Sequence, residues 1–156
     1  MERISLNGSW QVSGSDGSSF NGTVPGCVHT DLFTAQEMFF EENARRVQSV
    51  EQNDYCYRRT FTVAAVGEDP VLVFEGLDTY CSIFLNGTKL GDADDMFLAY
   101  RFPVQGILRA GENELAVAFR SPVREVAGRP PRSGAFTTER LYTRRMQCTY
   151  GWDWVE

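Results

Sequence analysis

Asp54–Val63, DYCYRRTFTV, has two alternating faces: Tyr55, Tyr57, Phe61 and Val63 fall on one side with Arg59, and Arg58, Thr60 and Thr62 on the other. A period of two puts successive side chains on opposite faces of a pleated strand, so this segment predicts a strand with one face turned to a core. The pattern recurs in VLVFEGL (Val71–Leu77), in TYCSIFLNGTKLG (Thr79–Gly91) around an Asn86-Gly87 turn, in MFLAYRFPV (Met96–Val104), and in ELAVAFRS (Glu114–Ser121) after the turn AGEN. Within the last, Leu115, Val117 and Phe119 oppose Ala116, Ala118 and Arg120. Short strands separated by turns, with no crossover helices, predict two packed antiparallel sheets: an all-β fold, a β-sandwich with jelly-roll winding.

Helical signals gather in the N-terminal third, where one or two short helices are expected. VPGCVHTDLFTAQ (Val24–Gln36) spaces Val28, Leu32 and Phe33 along one side, and ENARRVQSVEQ (Glu42–Gln52) has room for two or three turns. Ser121–Arg140 is rich in Pro, Gly and Arg and lacks periodicity, which predicts a long loop. Three N-x-[ST] matches, at Asn7, Asn21 and Asn86, each contain Asn-Gly. That pair favours tight turns with positive φ, so hairpin geometry accounts for them without an attached sugar.

The 156 residues suit one domain over 1–156, long enough to bury roughly two thirds of the surface an unfolded chain exposes. With 42% hydrophobic and 23% charged residues the composition is that of a globular protein, and no stretch approaches the roughly 20 apolar residues of a membrane span. MERISLNGSW lacks a basic start followed by an apolar core, from which a cytoplasmic setting is expected. A net charge of −6 argues against a polyanion partner such as nucleic acid. Arg129, Arg132, Arg140, Arg144 and Arg145 form a local basic run, read here as a solvated loop because it lacks the interleaved aromatics of a single-strand binder.

Catalytic signals are sparse. Cys27, Cys56, Cys81 and Cys148 show no paired short spacing and His29 is the single histidine, so no metal or other cofactor is implied. Cys56 and Cys81 sit in apolar strand-like runs and read as buried free thiols. His29 lies beside Cys27 and near Asp31, but two residues' separation at a helix start does not align a nucleophile with its base, and packing or capping outweighs Cys-His chemistry. Carboxylates are plentiful, yet no local pattern holds two of them at the roughly 5 to 9.5 Å that glycoside cleavage requires.

Taken in order, LNGSW (Leu6–Trp10), VPGCVHTDL (Val24–Leu32), YRRTF (Tyr57–Phe61), FEGLDTYCSIFLNG (Phe74–Gly87), DMFLAYRFPV (Asp95–Val104), GENELAVAFRSP (Gly111–Pro122) and RRMQCTYGWDW (Arg144–Trp154) resemble the N-terminal sugar-binding domain of glycoside hydrolase family 2. The likeness is greatest to the β-mannosidases of that family and runs nearly end to end. It implies a galactose-binding-domain-like jelly-roll that carries no catalytic residue of its own, as one domain of a larger retaining exo-glycosidase whose two catalytic glutamates lie in a separate barrel. The implied partner is a terminal mannoside-like sugar shared with that barrel. Gly151–Trp154 match the family's Gly-Trp-Asp-Trp, from which Asp153 is expected to recognise sugar hydroxyls, Trp152 to pack on the sugar and Trp154 to anchor a domain interface. A free-standing carbohydrate-binding module and a purely architectural domain are the other two readings. Arg144 and Arg145 match a basic pair of the family and are expected to form salt bridges or face solvent. Departures include Ser49 and Tyr55 where the family often has tryptophan, and Asp95 where it has asparagine.

Overall fold

The computed structural model describes residues 3–34, 37–38, 43–130 and 139–150. Eight strands form among them: β1 (Gly8–Gly14), β2 (Ser19–Val24), β3 (Tyr55–Val63), β4 (Val71–Phe74), β5 (Cys81–Leu85), β6 (Thr88–Ala93), β7 (Tyr100–Pro103) and β8 (Gly111–Phe119). One sheet has six strands in the order β2-β1-β3-β8-β5-β6; β4 and β7 make a second. Every strand pair is antiparallel. The chain passes from the large sheet to the small one and back twice, through β3-β4-β5 and β6-β7-β8, which is the winding of a jelly-roll sandwich.

The alternation expected for Asp54–Val63 is realised along β3, where Tyr55, Tyr57 and Val63 are buried and Arg58, Thr60 and Thr62 are exposed. β8 lies beside it in full register from Tyr55↔Phe119 to Val63↔Gly111. Tyr57, Ile83, Leu115 and Val117 from three adjacent strands form the middle of the core, with Trp10 and Val12 of β1. Leu72 and Phe74 of β4 and Tyr100 and Phe102 of β7 close the core from the other side, while Val71, Val73, Arg101 and Pro103 face out. Contact between the layers is intimate at Gly91 of β6, where an added Cβ would sit 2.7 Å from the Phe102 ring.

Short helices form in the described N-terminal third as expected, among them α1 (Val28–Leu32) and α2 (Asn43–Gln48), the latter running into a 3-10 turn over Ser49–Gln52. Ser121–Arg140 departs from the loop expectation, because α3 (Pro122–Val126) begins there and α4 (Glu139–Tyr142) starts near its end. Ser121 caps α3, its Oγ accepting from Arg124 N at 3.2 Å, and Pro122 fills the first turn where no amide donor is needed. Five residues are too few for apolar periodicity to show; the Ser-Pro start was the legible signal.

The three Asn-Gly pairs also separate. Asn86 and Gly87 have φ of 52° and 78°, the two left-handed residues of a tight β5–β6 hairpin turn. Asn21-Gly22 makes no turn: both residues lie inside β2, opposite Gln11 and Trp10. Gly22 is needed for space, since a Cβ there would meet Val12 Cγ2 at 2.6 Å and Tyr57 Cε1 at 2.8 Å. The β1–β2 turn uses Gly17 instead, with φ of 87° and Ser18 N donating to Asp16 Oδ1 at 2.9 Å.

Candidate functional site

Near the end of the large sheet where β3 begins and β8 ends, a cavity of about 470 Å³ opens. Its floor is apolar, formed by Trp10, Tyr55, Tyr57, Val117 and Phe119; Phe74 and Leu77 close it from the side of β4. Its rim includes Pro25–His29 at the start of α1, Gly76–Thr79 between β4 and β5, Met96, Arg145, and residues of the 3-10 turn before β3. Pieces of VPGCVHTDL, FEGLDTYCSIFLNG, DMFLAYRFPV and RRMQCTYGWDW, far apart in sequence, thus meet around one opening.

The segment that follows α4 is clamped beside this rim. The Tyr80 hydroxyl donates to Tyr142 O at 3.1 Å and contacts Thr143 Oγ1 at 3.4 Å, and Thr143 is 4% exposed. Asp95 and Arg144 form a parallel bridge, with Met96 N donating to Arg144 O at 3.0 Å and Arg144 Nε to Asp95 Oδ2 at 3.3 Å. Arg145 turns to the other side, where its Nη2 donates to Asp78 Oδ2 at 2.5 Å. Two successive arginines therefore grip two different loops. The Arg145–Asp78 pair is mostly withdrawn from solvent, with side chains 24% and 33% exposed, and is screened less than a surface pair.

Salt bridges were the expectation for Arg144 and Arg145, and both form. The remaining described arginines of the basic run make surface contacts too, and Arg129 stays exposed. Arg129 stacks 5.7 Å from the Tyr142 ring centroid and Arg140 Nε donates to Gln147 Oε1 at 3.1 Å.

Cys27, His29 and Asp31 divide between rim and support. Asp31 is structural, its carboxylate accepting from Thr23 N at 3.0 Å and from the Tyr57 hydroxyl at 3.2 Å. Burial, with Asp31 adding to it, pushes the Tyr57 phenol far above its ordinary range. The His29 carbonyl accepts the closing main-chain bond of α1 from Phe33 N at 2.9 Å, and α1 has no side-chain cap at its start. Its side chain lines the cavity beside Cys27, whose exposed thiol is pulled down to about 6, first by hydrogen bonding with His29 and then by the Thr30 amide and hydroxyl. Cys81 is completely buried and its thiol is pushed up to about 12. Among the described residues, no group of three or more His, Cys, Asp and Glu side chains gathers to hold a metal ion.

Trp152, Asp153 and Trp154 lie outside the described residues. The described chain reaches Tyr150 through a 3-10 turn over Gln147–Tyr150, immediately after the clamped arginines. Asp78 was absent from the sequence expectations: its partner is 67 residues away, and nothing local to GLDT marks it for an ion pair. An aromatic floor under a rim carrying a carboxylate, a guanidinium and an imidazole can accept a small polar ring, apolar face down, with hydroxyls reaching the rim.

A family model described as "Glycosyl hydrolase 2 galactose-binding domain-like" matches residues 10–156. The chain is 30% identical to the β-mannosidase of Bos taurus over 97% of its own length and 19% of the relative's. It is 34% identical to β-mannosidase B of Thermothelomyces thermophilus, over 83% of this chain and 17% of that one. The crystal structure of β-D-mannosidase from Dictyoglomus thermophilum aligns with a TM-score of 0.86 at 38% identity, covering 99% of this chain and 20% of that one. The chain therefore spans about a fifth of the length of these relatives. By the extent of the family match and the identity it shares with these relatives, the chain belongs to the galactose-binding-like domain family of the family 2 glycosyl hydrolases.

Proposed function

We propose that residues 1–156 serve as the non-catalytic N-terminal domain of a retaining exo-glycosidase acting on terminal β-mannosides, and help to complete the sugar pocket of a separate barrel domain. The observation that carries this reading is the likeness to the Dictyoglomus thermophilum β-D-mannosidase along 99% of the chain. The clamp supports it, because gripping Arg144 and Arg145 on two loops fixes the direction in which the polypeptide leaves the sandwich a few residues before Gly151. In this reading the Asp153 carboxylate accepts two charge-assisted hydrogen bonds from neighbouring sugar hydroxyls. Trp152 covers the C–H face of the pyranose, and Trp154 anchors the interface between domains.

Asp153→Ala in the full-length polypeptide is expected to lower kcat/KM for an aryl β-mannoside at least tenfold with its melting temperature preserved, as for a contact to the reacting sugar. Unchanged kinetics would remove Asp153 from the pocket. A lower melting temperature with unaltered turnover per folded molecule would favour the architectural reading.

The rim and aromatic floor of the 470 Å³ cavity favour a second reading, in which the domain binds a saccharide by itself. Calorimetry of the 156-residue chain against mannose and manno-oligosaccharides separates the two, because only a self-sufficient module releases heat on titration.

A further inference from the structure

The three Asn-Gly pairs play no part in the sugar-pocket reading, and the fold gives each a different setting. The dipeptide has a chemistry of its own, which makes asparagine a heat-labile residue. The glycine amide nitrogen, once deprotonated, attacks the asparagine Cγ; a C–N bond forms and the side-chain nitrogen leaves as ammonia. Water then opens the five-membered succinimide at one of its two carbonyls, giving aspartate or its β-linked isomer, isoaspartate. Nothing is oxidised or reduced, and water is the only co-reactant. Two local demands decide where this happens. The side-chain amide must be free to swing onto the next nitrogen, and negative charge on the intervening peptide must be stabilised as its proton departs.

Asn86 and Asn21 fail the first demand. Asn86 Oδ1 accepts from Glu114 N at 2.9 Å, while its Nδ2 donates to Ile107 O at 2.9 Å and Asn113 Oδ1 at 2.8 Å. Asn21 lies inside β2 with its Oδ1 held by Gln11 Nε2, and the nitrogen that would attack belongs to the buried Gly22.

Asn7 meets both. It is exposed just ahead of β1, and among the described residues its hydrogen bonds are all main-chain: its N donates to Ser5 Oγ at 3.3 Å and its O accepts from Arg59 Nη1 at 2.8 Å. That oxygen belongs to the very peptide that must lose its proton. As the proton leaves, charge spreads from nitrogen to oxygen, where the guanidinium is already bound, so a charge-assisted hydrogen bond strengthens as the anion forms. A Cβ added to Gly8 would sit 3.3 Å from Arg59 Nη1, a measure of how closely the cation lies against this peptide.

We propose that Asn7-Gly8 is a self-modifying site, at which Asn7 deamidates selectively in the folded protein through a succinimide promoted by Arg59. The site adjoins the cavity floor, because Leu6 O accepts both Arg59 Nη1 at 3.1 Å and the Trp10 indole Nε1 at 2.9 Å. Isoaspartate at this position lengthens the main chain by one methylene next to that anchor and sets a new carboxylate beside Arg59. It also makes the protein a substrate for enzymes that methylate isoaspartyl carboxylates. None of this depends on the function proposed above.

Peptide mapping after incubation of the protein at mildly alkaline pH tests the site, with an isoaspartyl methyltransferase and labelled S-adenosylmethionine as the probe for the isomer. Asn7 is expected to convert several times faster than Asn21 or Asn86 while the fold persists, and the three rates to converge in concentrated urea. Conversion of Asn21 or Asn86 as fast as Asn7 in the folded protein overturns the selectivity. Asn7 left intact when the urea sample has already converted overturns the site itself. Arg59→Lys, which keeps a cation in place, is expected to retain the Asn7 rate, and Arg59→Gln to lower it several-fold with Asn21 and Asn86 unchanged. Faster conversion of Asn7 in Arg59→Gln at a preserved melting temperature makes the arginine a restraint and overturns its promoting role. The comparison of the three asparagines uses the unsubstituted protein, so it decides the selectivity even where Arg59→Gln fails to fold.

Discussion

The two ends of β8 handle polar groups in opposite ways. At the Gly111 end, Asn113 is 1% exposed and its amide makes four hydrogen bonds: Oδ1 accepts from Asn86 Nδ2 at 2.8 Å and Arg109 N at 2.9 Å, while Nδ2 donates to Arg109 O at 2.8 Å and Gly111 O at 3.1 Å. Asn86 completes the knot, its Nδ2 reaching Ile107 O at 2.9 Å and its Oδ1 accepting from Glu114 N at 2.9 Å. Every donor and acceptor of Asn113 is answered within the domain, so this end can only stabilise. At the Phe119 end, the polar groups of Cys27, His29, Asp78 and Arg145 stand around an open cavity, with Asp78 and Arg145 paired to each other. Groups that are spoken for build the fold; groups facing free volume are available for recognition.

The strongest way to break this contrast is Asn113→Ala. It removes the partner of Arg109 N and of the Arg109 and Gly111 carbonyls, and urea denaturation should show a loss of about 3 kcal/mol. A loss below about 1 kcal/mol would mean that the asparagine knot is not what closes that end. At the cavity end the Asp78–Arg145 pair should matter less. A double-mutant cycle with Asp78→Ala and Arg145→Ala is expected to give a coupling of about 1 to 2 kcal/mol, between the values for surface and buried pairs.

The smallest stability effect sharpens the contrast by chemistry. Iodoacetamide should modify Cys27 first, at a rate that climbs with pH and levels off above about 6, with Cys81 untouched while the fold persists. His29→Ala should move that midpoint upward. Because the folded thiol ionises below its ordinary value of 9.0, its contribution to stability is fully present above pH 9 and fades as pH falls through about 6. Alkylation removes the thiolate and should abolish that pH-dependent contribution. Mass spectrometry follows the label and a melting curve follows the fold.

Legibility in the sequence tracks how local each cause is. The faces of β3 and β8 were readable because burial imposes a period of two on the residues themselves, and Asn86-Gly87 because positive φ is a local demand. Asn21-Gly22 misled because the same dipeptide there answers a steric demand from Val12 and Tyr57, which only pairing of the strands brings near. The clamp was half legible: Arg144 and Arg145 could be expected to form ion pairs, but which acids they reach depends on how loops 49 and 67 residues distant are folded back. Cys27 and His29 were visible as neighbours, and their shared place on a cavity rim was not, since that cavity is assembled from segments spanning most of the chain.

Among the described residues the six-stranded sheet ends in β2 and β6, each with one hydrogen-bonding edge unpaired. β6 carries Lys89 and Asp92, exposed and bridged at 2.9 Å, and β2 offers exposed Ser19, Asn21 and Thr23. A neighbouring molecule seeking to extend the ladder would have to strip water from a lysine and an aspartate on one margin, or line up against hydroxyls and amides on the other. The margins thus discourage fibril-like growth, so the domain should remain dispersed at high concentration.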